Sequence, residues 1–136
     1  MNEQGQAVAN PWADAEVISV YTRAQALEDG VLVDLTDWAR EAGFKIPVAV
    51  TRVVWGVLEP SKELEAEGED VIGRAWDMFT ILLQAIRGAS GGHEVHFAPL
   101  FTQEPGRRAE PVEMWAKCGP GDNGEPVITV MLRGED

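Results

Sequence analysis

Large apolar residues at Ile72, Trp76, Phe79, Leu83 and Ile86 recur in steps of four, three, four and three. That spacing holds all five on one stripe of an α-helix. Arg74, Asp77, Gln84 and Arg87 fall away from the stripe, while Ile81 and Leu82 widen the apolar surface. Asp70 can accept from the free N–H groups of the first turn, and Gly88 suits a left-handed exit. The pattern predicts a central helix over about 70–87. Burying five such side chains stabilises by roughly 1.5–3 kcal/mol each before the entropy of ordering them is charged. No other segment offers as much.

The remaining elements follow from shorter patterns. Met1–Ala15 lacks periodicity and reads as a loose tail, with Trp12 after Pro11 free to dock on the body. Glu16–Tyr21 alternates and predicts a strand. Thr22 with Gln25 makes a capping box for a short helix over Arg23–Asp29, closed by Gly30. Val31–Leu35 predicts a second short strand; Thr36 and Asp37 offer an N-cap for a helix through Glu41, ended by Gly43. Pro47 suits the first turn of a further helix over Val48–Leu58, stopped by Pro60, although its valines favour a strand by propensity. Ser61–Asp70 is the most acidic piece and reads as a solvated loop or frayed helical turn. After the flexible connector Ala89–Gly92, His93–Phe101, Val112–Cys118 and Val127–Leu132 alternate or run apolar between turn-rich links. Three strands joined by short loops make an antiparallel meander. The expected fold is α+β: this meander plus one or two N-terminal strands, covered on one face by helices.

Composition changes the picture in two ways. At 136 residues one domain is expected over 16–136, behind the tail 1–15. The single cysteine, Cys118, cannot form an intrachain disulfide, no segment approaches the ~20 apolar residues of a bilayer span, and no secretory signal pattern opens the chain. A cytoplasmic protein is expected. Eleven basic against twenty-three acidic residues give a formal charge of −12. Such a surface repels phosphate backbones, so direct nucleic-acid binding is disfavoured and a basic protein surface becomes the expected partner. The carboxylates Glu63, Glu65, Glu67, Glu69 and Asp70 are its candidate binding residues.

Candidate chemistry is sparse. His93, Glu94 and His96 are the one cluster of metal-type ligands, yet on a strand His93 faces away from the other two. Two ligands on one face are too few for zinc, so no metal and no cofactor is expected. Asp122-Asn123-Gly124 lacks the spaced oxygens of a calcium loop and reads as a hairpin turn. Cys118 reads as a small residue on the inner face of a strand.

The corner Tyr21, Thr22, Arg23, followed by Asp29-Gly30-Val31-Leu32, resembles the opening of some ADP-ribosyltransferases, whose first strand carries a polar residue that binds NAD. The resemblance implies a catalytic glutamate, for which Glu113 and Glu125 are candidates by position. A capping box and a surface arginine account for the same residue types. Trp12, Trp38 and Trp115 are candidate anchors for a structural subunit or homodimer.

The stretches Val20–Trp55 (VYTRAQALEDGVLVDLTDWAREAGFKIPVAVTRVVW) and Gly119–Asp136 (GPGDNGEPVITVMLRGED) resemble a family of short, uncharacterised bacterial proteins, known as a domain of unknown function and common on plasmids, phages and other mobile elements. The resemblance brings no catalytic residues. It implies a role in element maintenance or in contest with host defence. Small acidic proteins of mobile elements include nucleic-acid mimics with anti-restriction or anti-CRISPR activity, which is an analogy of context. A non-catalytic acidic interaction protein meeting a nucleic-acid-binding host protein is the expectation, with the NAD-using transferase and the homodimer as alternatives.

Overall fold

In a computed structural model, which describes residues 21–135, the chain opens on α1 (Arg23–Glu28). There follow β1 (Leu32–Asp34), α2 (Thr36–Ala42), β2 (Val48–Thr51), α3 (Arg52–Leu58), α4 (Lys62–Ala66) and α5 (Val71–Gly88). The last part holds β3 (Glu94–Phe97), β4 (Leu100–Phe101), β5 (Glu110–Pro111), β6 (Met114–Pro120) and β7 (Pro126–Leu132). The strand expected over Glu16–Tyr21, apart from Tyr21 itself, and the tail with Trp12 lie outside the described residues.

Five strands form one sheet in the order β1-β2-β7-β6-β3, and β4 pairs with β5 in a small ribbon. The meander predicted from alternation is present: β3, β6 and β7 are antiparallel neighbours, with Trp115 opposite both His96 and Met131. The β6–β7 turn carries Gly124 at φ 81°, as the Asn-Gly pair requires. The N-terminal strands join at β7. There β2 runs parallel, Val50 opposite Val130, and β1 lies antiparallel beyond it.

Val48–Leu58 is not one helix. Val48, Ala49 and Val50 are buried as a central strand, and a strand buried on both faces reads as a continuous apolar run. Thr51 then caps α3, its hydroxyl accepting from the Val54 N–H. Thr36 opens α2 without capping it; its hydroxyl turns instead to Asp34 and the backbone of Val48. Gly43 ends α2 in the left-handed conformation, at φ 112°. Ser61–Asp70 holds a formed helix, α4, capped by the Ser61 hydroxyl and anchored by buried Leu64.

The central helix forms where the spacing predicts it, with Asp70 accepting from the Gly73 N–H at 2.7 Å. It leaves through Ala89 in an extended conformation, not through a left-handed Gly88. The buried face, however, is not the predicted stripe. Arg74, Ala75, Met78, Phe79 and Leu82 are buried, whereas Ile72, Trp76 and Ile86 are 49%, 38% and 36% exposed. The helix is turned by roughly a quarter of a turn from the expected orientation. Phe44, Phe97, Phe101 and Met114 fill the core beneath the helix, and the small Ala75 is fully buried among them.

α2, α3 and α5 share one core with the face of the sheet carrying Val48, Val50, Met114, Ala116, Ile128 and Val130. α1 lies against the opposite face, where Arg23 reaches the hydroxyl of Thr129. Helices therefore cover both faces, unequally.

Candidate functional site

Between Glu59 and Asp77 the chain places seven acids against two bases. Ser61 starts α4 and Leu64 pins it, which leaves Glu63, Glu65 and Glu67 exposed. None of the three carries an ion pair among the described residues. Glu63 and Glu65 also lie in the first turn, where carboxylates favour the helix dipole. Among the described residues nothing neutralises their charge.

Glu69 and Asp70 are committed differently. Asp70 caps α5, and Glu69 accepts from Arg74 Nη1 at 2.6 Å. Arg74 also donates to the Val57 carbonyl from Nη2 and Nε and to the Thr102 carbonyl from Nη1, and its guanidinium lies 4.6 Å from the Phe101 ring centroid. One buried arginine thus ties α3, α5 and the loop after β4 together. Beside it Glu69, Asp70 and Asp77 rim a cleft of about 410 Å³, walled by Leu100 and Phe101. The face is negative with an apolar wall.

The Tyr21–Arg23 corner resolves into separate duties. Tyr21 donates its hydroxyl to Asp29 Oδ2 at 2.5 Å. That bond, with burial and the carboxylate charge adding to it, raises the Tyr21 pKa above its ordinary value. Thr22 and Gln25 form the predicted capping box. Asp122 completes the same helix end, its carboxylate accepting from the Arg23 and Ala24 N–H groups at 2.8 and 3.0 Å. Arg23 bonds Thr129 Oγ1 at 2.6 Å and the Ile128 carbonyl at 2.9 Å. Burial lowers its pKa, opposed by the carboxylates of Asp34, Asp122 and Glu125. Glu113 pairs with Arg133, at the other end of the β6–β7 ladder from Ile128. Tyr21, Thr22, Arg23 and Glu113 are therefore not brought together around a common point; Glu125 is the glutamate that acts on Arg23.

The family of unknown function DUF6573 matches residues 8–136. The chain belongs to DUF6573. No curated protein and no solved structure matches it. In this DUF6573 domain, His96 Nε2 lies 2.5 Å from Glu94 Oε2, and the His96 ring stacks on Trp115 with centroids 4.8 Å apart. Among the described residues no group of three or more His, Cys, Asp or Glu is placed to hold a metal ion. Trp38 stacks on Trp55 at 6.2 Å, so this anchor candidate is half spent inside the domain. Trp115 is half-buried, and its Nε1 has no hydrogen-bond partner among the described residues.

Cys118 follows Ala116 on the core side of β6, as the alternation predicts, yet it is exposed because α5 ends before reaching it. Sequence reasoning missed Arg74, which the helical pattern assigns to the solvent face. The one signal available was Glu69 five residues before it, and that spacing alone does not imply burial. It also missed Asp122, whose partner helix lies 98 and 99 residues away in sequence. Among the described residues no helix is long and apolar enough to cross a membrane.

Proposed function

We propose that this DUF6573 protein is a non-catalytic acidic interaction protein whose α4–α5 edge meets a basic protein surface. The observation that carries the reading is the exposure of Glu63, Glu65 and Glu67 on a capped, anchored helix without ion pairs among the described residues. A fixed array of carboxylates steers a positively charged partner and is weakened by salt. The partner class that fits is a nucleic-acid-binding protein of the host cytoplasm, whose phosphate-binding surface the carboxylates would occupy. With the mobile-element context that the sequence resemblance implies, the role becomes that of a nucleic-acid mimic acting against restriction or CRISPR defence.

The test is capture from bacterial lysate on immobilised protein, followed by competition. The captured protein should be released both by raised salt and by double-stranded DNA. Capture that resists both contradicts the proposal.

A further inference from the structure

The sheet outruns its central helix. α5 stops at Gly88, while β6 and β7 continue beneath the connector that follows it. Over this uncovered corner lies a cleft of about 300 Å³, walled by Ile46, Ile86, Val95, Ala116, Cys118 and Ile128. Among the described residues, no side chain fills it. The connector above supplies only Ala89, Gly91 and Gly92, and the sheet below offers the small side chains of Ala116 and Cys118. Gly91 and Gly92 sit at φ 118° and 97°, in the region that side chains strain to adopt, so the lip stays bare. Ala116 and Ile128 at the floor are 5% and 6% exposed, whereas Ile86 on the wall is 36% exposed. The cleft runs from the edge of the core out to solvent, and an apolar occupant would remove its walls from water.

The lining fixes the class of occupant. Lys117 contributes to the rim, but its Nζ lies 5.4 Å from the Trp115 ring centroid, on the opposite face of β6 from Ala116 and Cys118. Among the described residues no carboxylate lines the cleft. Its polar groups are His93 and the Cys118 thiol, beside the carbonyl-bearing end of α5. A cavity of about 150 Å³ lined by aliphatic residues holds one benzene ring, and small-molecule sites begin near 300 Å³. We propose that the cleft binds an uncharged molecule the size of two fused aromatic rings, with at most one polar edge. The site lies about 27 Å along α5 from Asp70, at a rise of about 1.5 Å per residue, and is independent of the acidic edge.

Indole is the probe. Cys118 is the one cysteine in the sequence, so N-ethylmaleimide labels the protein at that wall alone. Cys118 also borders a neighbouring cleft with Arg23 and Thr129, and the Ala89 variants tell the two apart. Millimolar indole should slow labelling of the folded protein by about fivefold or more and raise Tm through linkage. Ala89→Trp places a tethered indole over the mouth from an exposed position, and in that variant free indole should no longer shift Tm. Ala89→Ser, which leaves the mouth open, should respond like the natural chain. Unchanged labelling and unchanged Tm at the solubility limit of indole would overturn the proposal. So would a Tm response that persists in folded Ala89→Trp, since binding would then lie elsewhere.

Discussion

Arg74 holds the carbonyl of Val57 with two donors, Nη2 at 2.8 Å and Nε at 3.3 Å. That carbonyl lies in the last turn of α3, where the helix's own N–H groups have run out. A side chain from α5 therefore completes a different helix, while its third nitrogen, Nη1, serves Thr102 and Glu69. Arg74→Ala should destabilise the domain by about 3 kcal/mol in urea unfolding, because two half-buried carbonyls lose their donors and a buried side chain is removed. Arg74→Lys should recover only part of this, since an ammonium lacks the planar fork.

The turned face of α5 reverses the order of importance that side-chain size suggests. Phe79 is fully buried and touches Phe44 with centroids 5.6 Å apart. Phe79→Ala should cost about 3–5 kcal/mol, whereas Trp76→Ala should cost about 1 kcal/mol despite the larger ring removed. Urea unfolding of the two variants side by side checks it. Similar losses for both would restore the predicted stripe.

α1 is too short to persist alone and depends on what its first turn bonds. Thr22 supplies one acceptor and Asp122 supplies two. Asp122→Ala should cost about 1–2 kcal/mol and should abolish hydrogen-exchange protection of α1 while the amides of β6 and β7 keep theirs.

Tyr21 is the one tyrosine in the sequence, so absorbance reports its ionisation directly. Its midpoint should lie above the ordinary tyrosine value of about 10, because the phenol would have to give up its bond to Asp29 and face a carboxylate. The sign follows. The bond stabilises the fold fully below the unfolded pKa, and that contribution is lost as pH rises through the higher folded value. Asp29→Asn should bring the midpoint back toward the ordinary value.

The parts that the sequence makes legible are those set by neighbours along the chain. The capping box at Thr22 and Gln25, the left-handed Gly43, the Asn-Gly hairpin and the alternation of β6 all depend on residues within a few positions. What the sequence hides depends on what lies opposite. The valines of 48–54 fit a helical stripe and a strand equally well, and the parallel seat beside β7 decides between them. The orientation of α5 follows from side chains supplied by four other segments, Phe44, Phe97, Phe101 and Met114, so counting large residues along one helix misassigns it. Of the candidate site, the acidity of 61–70 is plain in the sequence, as is the capping role of Asp70, but separating Glu69 from Glu63, Glu65 and Glu67, which are unpaired among the described residues, needed the position of Arg74.

The central claim is that the exposed carboxylates of α4 make the contact with a basic partner. The direct measurement compares the natural chain with Glu65→Lys/Glu67→Lys in binding to the captured partner across a range of salt. Both positions are exposed and unpaired among the described residues, so the variant should keep its Tm within about 2 °C. The account predicts that its binding falls by about tenfold or more at low salt and loses much of its salt dependence. A folded variant that binds as tightly as the natural chain, with the same response to salt, would contradict it.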